Sequence, residues 1–312
     1  MKGIVKAVCI SRQKGTEKVP VSEGHFIENY GIEEDAHAGN WHRQVSLLSY
    51  DKVEAFNERG ADVKDGDFGE NLVVEGIDFR SLPVGTILSC SDVILEMTQI
   101  GKECHSHCAI HKRVGDCIMP REGVFAKVIK AGTIRPGDEM QVEPPKSDRP
   151  FQAAVIVLSD KGSRGERVDE SGPAVKEALE GQGYEVVEVL VIPDEPELLK
   201  KELIRLSDSR QLDVVFTSGG TGFSMRDQTP EATMAVADRN APGIAEAIRQ
   251  GSMKITSRAM LSRGVSVIRK KTLIINLPGS PRAVRESLDF ILADLPHGIK
   301  LLRGTDGECA RK

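Results

Sequence analysis

The sequence has few aromatic residues and no excess of positive charge. Among 312 residues there are nine Phe, three Tyr and one Trp, and 47 acidic residues outnumber 42 basic ones, for a formal net charge of −5. Nucleic-acid-binding proteins attract phosphates with clustered Lys and Arg and stack bases on aromatic rings. The composition therefore argues against a nucleic-acid-binding protein.

Long apolar segments are also missing. No stretch approaches the ~20 apolar residues that span a bilayer, and the N-terminal sequence MKGIVKAVCISRQKG lacks the apolar run of a signal peptide. These features predict a cytoplasmic protein that binds no membrane. Because disulfides are rare in a reducing compartment, the six cysteines are expected to be catalytic or metal-binding thiols.

Cysteine content and charge both change near the middle of the chain. Five of the six cysteines precede residue 118, and residues 1–148 carry a net charge of −6 whereas residues 149–312 carry +1. Between these halves, VEPPKSDRP at 142–150 holds three prolines and four charged residues, which cannot continue a helix or lie inside a sheet. We predict domains at 1–143 and 151–304, a linker at 144–150 and a polar tail at 305–312.

Residues 1–143 show short strand patterns separated by glycine-containing turns, which predict a β-rich barrel. The predicted strands cover 3–10, 44–49, 71–74, 86–90, 93–99, 124–130 and 139–143. One helix is predicted at 49–59, with Ser49 as its N-cap and Gly60 as its stop.

Residues 151–304 alternate strands with helices, which predicts a doubly wound α/β domain, a three-layer sandwich. Strands are predicted at 151–159, 185–192, 213–217 and 272–277, and helices at 172–181, 196–207, 229–238, 243–253 and 280–295. Ligands of such folds bind at the carboxyl ends of the strands, and the segments that follow the strands at 185–192, 213–217 and 272–277 are expected to meet at one such edge.

A glycine-rich segment, Ser218-Gly219-Gly220-Thr221-Gly222, follows one of these strands. Glycines let backbone amides approach a phosphate closely, and hydroxyls add donors. The segment has the spacing of neither a P-loop nor a dinucleotide-binding fingerprint. A phosphate-binding loop and a simple tight turn are therefore both open interpretations.

Carboxylates stand after neighbouring strands. Asp194 follows the strand at 185–192, and Asp227 lies five residues past Gly222. Mg²⁺ takes few protein ligands and shares the rest with substrate phosphate, so two carboxylates beside phosphate-binding loops suit it. Asp160 either joins this site or only caps a helix, and Arg226, Arg263 and Arg269 either reach phosphates or are solvated charges.

Seven motifs in residues 151–303 occur in the order of a known family. They are Leu158-Ser-Asp-Lys161, Ile192-Pro-Asp-Glu195, Thr217-Ser-Gly-Gly-Thr-Gly222, Arg226-Asp-Gln-Thr-Pro-Glu231, Ser262-Arg263, Val267-Ile-Arg-Lys270 and Ile275-Asn-Leu-Pro-Gly279. With them, this half resembles the MogA/MoaB family of molybdopterin adenylyltransferases. That family joins the terminal phosphate of molybdopterin to AMP from Mg-ATP.

The resemblance implies roles for particular residues. Asp227 would be the main catalytic residue, and Asp194 a catalytic organiser, with both as Mg²⁺ ligands. The expected molybdopterin- and nucleotide-binding residues are Ser159, Asp160, Ser218, Gly219, Gly220, Thr221, Gly222, Asn276, Pro278, Gly279 and Ser280. Because the phosphate nucleophile is ionised at neutral pH, the reaction requires positioning and charge neutralisation rather than a strong base.

Residues 104–111 pack two cysteines and three histidines into eight positions. The C-x₃-C spacing differs from the usual zinc spacing, and no second cysteine pair follows. Lys102 and the histidines would instead stabilise a thiolate. A reactive thiol is favoured, with a structural zinc site or buried thiols as alternatives.

The same half of the chain carries further motifs of a second family. They are Gly31-Ile-Glu-Glu-Asp-Ala-His-Ala-Gly39, Arg43-Gln-Val-Ser-Leu47, Gly66-Asp-Phe-Gly-Glu-Asn-Leu72, Val84-Gly-Thr86, the cysteine segment and Gly137-Asp138. Residues 1–143 thus resemble MOSC domains, which are β-rich and are implicated in binding the molybdenum cofactor or carrying sulfur to it on a cysteine.

The MOSC resemblance implies Cys104 as the key cysteine and Cys108 as its reserve. Asp35, His37, Arg43 and Asn71 are either cofactor-binding residues or members of polar turns. A pyridoxal-phosphate desulfurase domain is missing from the chain, so no pyridoxal-phosphate site is expected and sulfur would come from an external donor. Cys9, Cys90, Cys117 and Cys309 receive no role.

Together the two resemblances predict a fusion protein of molybdenum cofactor biosynthesis. The expected partners are molybdopterin, ATP and a downstream molybdenum insertion protein, and a homo-oligomer, a trimer as in relatives, is expected. Two alternatives stay open. One is a non-enzymatic carrier or insertion protein, and the other is a MOSC reductase that holds the molybdenum cofactor.

Overall fold

The computed structural model describes residues 1–102 and 115–305. The chain divides into two compact units, Met1–Lys146 and Ser147–Lys312. None of the helices in the described ranges has the length and apolar character needed to cross a membrane.

The first unit is built mainly from short strands. They are β1 (Lys2–Ile10), β2 (Val19–Val21), β3 (Gly24–Ile27), β4 (Gly31–Ile32), β5 (Val45–Ser49), β6 (Leu72–Glu75), β7 (Ile87–Cys90), β8 (Val93–Ile100), β9 (Val124–Lys130), β10 (Gly132–Ile134) and β11 (Glu139–Glu143). Seven of them close into a barrel in the order β1-β6-β5-β9-β8-β7-β11, because β11 pairs with both β7 and β1. Strand β2 pairs with β1 outside the barrel closure, and β10, β3 and β4 form a second small sheet. The predicted β-rich barrel is confirmed.

The barrel encloses one apolar core, to which alternate residues of each strand contribute. In β1, Val5 and Val8 are both buried inside with Leu72 of β6 and Leu95 of β8, because an irregularity in the register between Val5 and Ala7 shifts the alternation. Because side chains of a strand point alternately to its two faces, this pattern fills the barrel interior. On the outer face, Cys9 with Val73, and Leu48 with the residues of α1, are buried in separate smaller clusters.

In residues 1–102 and 115–146, the helices are short: α1 (Tyr50–Asn57), α2 (Met119–Glu122) and a 3₁₀ turn at Phe79–Ser81. Ser49 does stand at the N-cap of α1, yet its hydroxyl accepts a hydrogen bond from the Phe79 amide at 3.2 Å instead of capping the helix. The helix also ends at Asn57, before Gly60. The bond that holds Ser49 is made to a residue 30 positions away, so local sequence does not predict it.

The second unit alternates strands and helices. Its elements are β12 (Gln152–Leu158), α3 (Asp160–Ser163), α4 (Ser171–Glu180), β13 (Glu185–Ile192), α5 (Pro196–Ile204), β14 (Val214–Ser218), α6 (Thr229–Ala235), β15 (Arg239–Asn240), α7 (Pro242–Met253), β16 (Ser266–Arg269), β17 (Thr272–Leu277), α8 (Pro281–Asp289) and α9 (Leu295–Arg303). A π-helical turn, Arg205–Ser209, follows α5, and a 3₁₀ turn, Ser257–Leu261, follows α7.

One six-stranded sheet lies at the centre of this unit, in the order β13-β12-β14-β17-β16-β15. The first four strands are mutually parallel, β16 is antiparallel to β17, and the edge strand β15 is antiparallel to β16. Alternate residues of β12 enter two separate apolar clusters: Val155 packs with residues of α4 and α8, and Ile156 with residues of α5 and α6. Burial of both faces explains the continuous apolar run of this strand.

The helix predicted at 280–295 is wrong in its extent. The chain forms two helices here, because α8 ends at Asp289 and α9 begins at Leu295, with Pro296 in its first turn. Proline favours the start of a helix and disfavours its interior. The apolar pattern does not reveal the break, since Leu288, Ile291 and Leu295 are all buried in one cluster.

Candidate functional site

Four loops meet at one edge of the second unit's sheet. Leu158 of β12 is level with Ile192 of β13, and Ser218 of β14 is level with Leu277 of β17. Because these strands are parallel, the loops at 159–163, 193–195, 219–228 and 278–280 all leave the sheet on the same side. The expectation that the glycine loop and the carboxylate-bearing segments share an edge is confirmed.

Backbone geometry accounts for the glycines of the loop after β14. Gly219 and Gly220 have φ of +106° and +64°, which side chains other than glycine rarely adopt. A Cβ on Gly219 would lie 2.7 Å from the Leu158 carbonyl oxygen, and one on Gly279 would lie 3.3 Å from Gly219 Cα. The loops after β12, β14 and β17 therefore pack backbone against backbone.

Ser218 ties two of these loops together, since its Oγ donates a hydrogen bond to the Pro278 carbonyl at 2.9 Å. Ser159 and Ser280 stand at helix N-caps: Ser159 Oγ accepts from the Gly162 amide at 3.0 Å, and Ser280 Oγ accepts from the Ala283 amide at 3.3 Å. The N-terminal turns of α3 and α8 thus flank the glycine loop.

Asp160 and Asp194 hold each other in place. The Asp160 amide donates to Asp194 Oδ2, and the Asp194 amide donates to Asp160 Oδ1, both at 3.1 Å. Arg226 then bridges two acidic residues, with Nη2 at 2.8 Å from both carboxylate oxygens of Asp160 and Nη1 at 3.2 Å from Glu195 Oε1. Asp160 therefore does more than follow a strand, because it joins the loops after β12, β13 and β14.

The pKa values of Asp160 and Asp194 are shifted in opposite directions. Burial raises the pKa of Asp194, and the negative charges of Asp160 and Asp227 raise it further. The Asp194 amide and the Arg226 guanidinium lower the pKa of Asp160. A cation at this edge would therefore favour the ionised form of Asp194.

Asp227 closes a turn at the far end of the glycine loop. Its Oδ2 accepts a hydrogen bond from the Ser224 amide at 2.9 Å, and its own amide donates to the Ser224 carbonyl at 3.0 Å. Among the described residues, neither Asp227 Oδ1 nor Asp194 Oδ1 accepts a hydrogen bond. Each carboxylate therefore keeps one oxygen that the described part of the fold does not use.

The donors at this edge suit Mg²⁺ better than a tightly caged metal. In the ranges 1–102 and 115–305, no group of three or more His, Cys, Asp or Glu side chains is arranged to hold a metal ion. Two carboxylates with one available oxygen each fit an ion that keeps several waters and binds substrate phosphates. They do not fit a metal that needs a full set of protein ligands.

Asn276 occupies a different environment from the other predicted residues. Its side chain is buried, with Nδ2 donating to Thr217 Oγ1 at 2.9 Å and to Thr233 Oγ1 at 3.0 Å, while Oδ1 accepts from the Val265 amide at 3.2 Å. These bonds use both amide hydrogens and the oxygen within the fold. Asn276 thus holds the carboxyl ends of the strands together from inside the fold, and Pro278 and Gly279 follow it in the loop after β17.

The sequence patterns did not predict that the 167–171 segment belongs to this site. A cavity of about 90 Å³ is lined by Ser159, Ser218 and Gly279 on one side and by the 167–171 segment on the other. Ser171 Oγ donates to the Gly279 carbonyl at 2.9 Å, and Asp169 accepts from the Ser171 amide at 2.9 Å. The sequence feature that could have identified this segment is Asp169-Glu-Ser-Gly-Pro173, in which the aspartate caps the start of α4.

Two of the residues predicted in the first unit lie inside the fold. Asp35 forms a buried ion pair with Lys18 and accepts hydrogen bonds from Asn71 Nδ2 at 2.9 Å and from the His37 amide at 2.8 Å. Burial opposes ionisation of Asp35, but the hydrogen bonds from His37 and the charge of Lys18 outweigh it and lower its pKa. Asn71 Oδ1 in turn accepts from Ser46, so Asp35 and Asn71 brace the barrel.

Arg43 and His37 lie closer to the surface of this unit. The Arg43 guanidinium stacks 4.7 Å from the ring centroid of Trp41, and His37 Nδ1 lies 3.4 Å from Asp35 Oδ1. Next to Arg43, His42 Nε2 is 2.8 Å from Gln99 Oε1. The residues around Trp41 thus combine an aromatic ring with cationic and imidazole groups.

Cys104 and Cys108 lie outside the described residues, as does Cys309. Cys9, Cys90 and Cys117 are buried. Burial raises the pKa of Cys90 to about 12 and raises that of Cys9 further. Neither Cys9 nor Cys90 therefore has the properties of a reactive thiol.

Comparison with known proteins matches both units. The family described as "Probable molybdopterin binding domain" matches residues 154–297, and the MOSC domain family matches residues 34–141. A curated molybdopterin adenylyltransferase of Helicobacter pylori is 41% identical over 152 residues, covering 48% of this chain and 86% of that protein. The protein of the same name from Escherichia coli K12 is 40% identical over 175 residues, covering 51% and 89%.

A crystal structure of the molybdopterin biosynthesis enzyme MoaB from Thermus thermophilus is 47% identical, with a TM-score of 0.48, and the match covers 49% of this chain and 97% of that one. The curated relatives are matched over more than four fifths of their own length at about 40% identity. The chain therefore belongs to the molybdopterin-binding domain family of the molybdopterin adenylyltransferases, and it carries a MOSC domain ahead of that domain.

Proposed function

We propose that this protein acts in molybdenum cofactor biosynthesis and that its second unit transfers AMP from ATP to the terminal phosphate of molybdopterin. The observation that carries the proposal is the meeting of Asp194, Asp227 and the Gly219–Gly222 loop at one sheet edge. The curated relatives named molybdopterin adenylyltransferase support it.

The chemistry asks for positioning of two anions. Backbone amides of the glycine loop, the Ser218 hydroxyl and the N-terminal turn of α8 would orient the phosphates of molybdopterin and ATP. The cavity beside Ser159, Ser171 and Gly279 supports this assignment because it opens among these same groups. The molybdopterin phosphate needs no base, since it is ionised at neutral pH.

Asp227 and Asp194 would hold Mg²⁺, with Asp227 as the main catalytic residue and Asp194 as its organiser. When bound, the ion supplies positive charge that offsets the negative charge developing on the reacting phosphates. The raised pKa of Asp194 supports a cation-binding role, because a neighbouring cation relieves the repulsion among Asp160, Asp194 and Asp227.

For the first unit we propose binding of the cofactor or carriage of sulfur to it. As the MOSC resemblance implies, Cys104 is the proposed sulfur carrier, with Cys108 as its reserve. Cys9, Cys90 and Cys117 are buried and are not proposed for this role. Arg43 and His37 are the proposed contacts to the cofactor, with Asp35 and Asn71 behind them. The sulfur would come from an external donor.

The proposed organisation keeps the boundaries predicted above: a MOSC domain at 1–143, a linker at 144–150, a three-layer α/β sandwich at 151–304 and a tail at 305–312. We further propose a cytoplasmic homo-oligomer, a trimer, that passes its product to a molybdenum insertion protein. Joining the two domains would raise the effective concentration of a labile intermediate between their sites.

The deciding experiment measures AMP transfer from ATP to molybdopterin by the purified full chain with and without Mg²⁺. Wild-type protein is expected to transfer AMP, and Asp227→Asn to lower the rate at least about 100-fold. Asp238→Asn, which changes an exposed aspartate outside the site, is the matched control and should leave the rate unchanged.

Wild-type protein that transfers no AMP would refute the adenylyltransferase proposal. Cofactor binding without transfer would then favour the carrier alternative. Stoichiometric molybdenum in the purified protein, together with reductase activity, would favour the MOSC reductase.

A further inference from the structure

Arg263 contacts both ends of the loop that carries Asp227. Its amide donates to the Thr221 carbonyl at 3.0 Å and its Nε to the Gly222 carbonyl at 2.7 Å, where the loop begins. Its Nη2 donates to the carbonyl of Asp227, where the loop ends. Nη1 forms an ion pair with Glu231 on α6. One guanidinium thus bridges the whole segment between Gly222 and Asp227.

Apolar packing does not hold this loop. Phe223 is 70% exposed and Met225 is 91% exposed, so the loop buries little of its apolar surface. The two hydrogen bonds between Ser224 and Asp227 shape the turn internally but do not attach it to the rest of the domain. At the Asp227 end the loop is attached by the Arg263 guanidinium and by Arg226, which contacts Asp160 and Glu195. Two residues further on, the Thr229 amide donates to the Gly220 carbonyl at 3.2 Å.

Only an arginine suits these contacts. Its planar guanidinium presents several N–H groups in a fixed fork, so it can serve two carbonyls and a carboxylate at once. A lysine ammonium is a single point of charge on a flexible stem. Nε and both Nη atoms of Arg263 are used by the fold, which argues against the expectation that this side chain contacts a phosphate or is merely solvated.

We propose that Arg263 is a positioning residue for the adenylyl transfer, which holds the Asp227 loop closed by its bonds to the Gly222 and Asp227 carbonyls. This inference rests on the proposed function for its catalytic consequence. The clamp itself is a property of the fold and is measurable without substrate.

The test uses Arg263→Lys and Arg263→Gln in the full chain, with Arg269→Lys as the matched control. Arg269 is likewise partly buried and bonds a carboxylate and a carbonyl, of Asp208 and Val236. It is level with Thr272 at the start of β17, at the opposite end of the sheet from the loop, so it is not placed to contact a phosphate there. Both Arg263 variants are expected to lower kcat about 100-fold while KM for ATP changes less than about threefold, because a displaced catalytic group impairs the reaction more than binding. Arg269→Lys should leave both constants unchanged.

A second measurement needs no substrate. Chymotrypsin cleavage after Phe223, followed at a temperature where circular dichroism shows folded protein, is expected to accelerate about tenfold in both Arg263 variants, because cleavage follows the population of the open loop. Unchanged cleavage would overturn the clamp. A raised KM for ATP with unchanged kcat would overturn the positioning role and make Arg263 a substrate-binding residue. If wild-type protein transfers no AMP, the proposed function fails while the cleavage rates still decide the clamp.

Discussion

Replacement of Glu70 by Gln is expected to stabilise the first unit at alkaline pH. Glu70 is fully buried, and its Oε1 accepts a hydrogen bond from the Gly66 amide at 2.7 Å. Among the described residues, its Oε2 has no hydrogen-bond partner. Burial raises the pKa of Glu70 to about 7, and the negative charges of Asp65 and Asp67 contribute to this.

The direction of the effect follows from which state of the protein, folded or unfolded, binds the Glu70 proton more tightly. In the unfolded chain Glu70 titrates near its usual 4.5, and in the folded chain near 7, so the folded state binds the proton more tightly. The stability from the protonated carboxyl is fully present below pH 4.5 and is lost as the pH rises through 7. The two pKa values correspond to about 3 kcal/mol at about 1.4 kcal/mol per pKa unit.

The assay is denaturant unfolding of the full chain at pH 5 and pH 8.5, followed by tryptophan fluorescence. Trp41 is the single tryptophan of the chain and lies in the first unit, so the signal reports that unit. Gln carries no charge, so the free energy of unfolding of Glu70→Gln should rise relative to wild type by about 2.5 kcal/mol between the two pH values, since most of the stabilising effect is present at pH 5 and none at pH 8.5. Glu58→Gln, at an exposed position, is the control. An equal difference between wild type and Glu70→Gln at both pH values would refute the reasoning.

Two further predictions concern stability. Gly220→Ala should destabilise the second unit by about 1–3 kcal/mol in thermal unfolding, because the position has a positive φ and the new Cβ would collide with Thr229 Oγ1, whereas Gly243→Ala in α7 meets open space and should cost nothing. Equal melting temperatures for both variants would contradict this. Lys18→Met should cost about 3–5 kcal/mol of the first unit's unfolding free energy by leaving the Asp35 carboxylate buried without its cation, and the additional change Asp35→Leu should recover most of the loss. A double variant no more stable than the single one would speak against that explanation.

Much of the candidate site was predictable because the direction of the strands follows from sequence patterns that span only a few residues. The apolar run of β12 and the β–α alternation predict parallel strands, and parallel strands bring their following loops to one edge. The position of the glycine loop next to the segments of Asp194 and Asp227 follows from this alone. Asp169 and Ser171 were missed because they precede a helix instead of following a strand, although they line the same cavity.

The roles of individual side chains at that edge were harder to predict from the sequence. Asp160 was open between a site residue and a helix cap, and the structure joins it to Asp194 and Arg226 across 34 and 66 positions of sequence. Arg263 was open between a phosphate contact and a surface charge, and its partners are backbone carbonyls 36 and 41 positions away. Such bonds depend on which loops the fold brings together, and no local spacing encodes them.

By itself, the sequence determined that this chain has a β-rich half and an α/β half, and which loops of the second half share an edge. These properties follow from the period of apolar residues and from the placement of glycine and proline, both of which act over a few residues. Only the tertiary structure shows that the helical segment is interrupted between α8 and α9 and that Asn276 and Asn71 face inward. It also shows that Arg263 bridges the Asp227 loop. Each of these depends on burial or on partners distant in sequence, because a polar side chain takes whichever donor or acceptor the folded neighbourhood offers it.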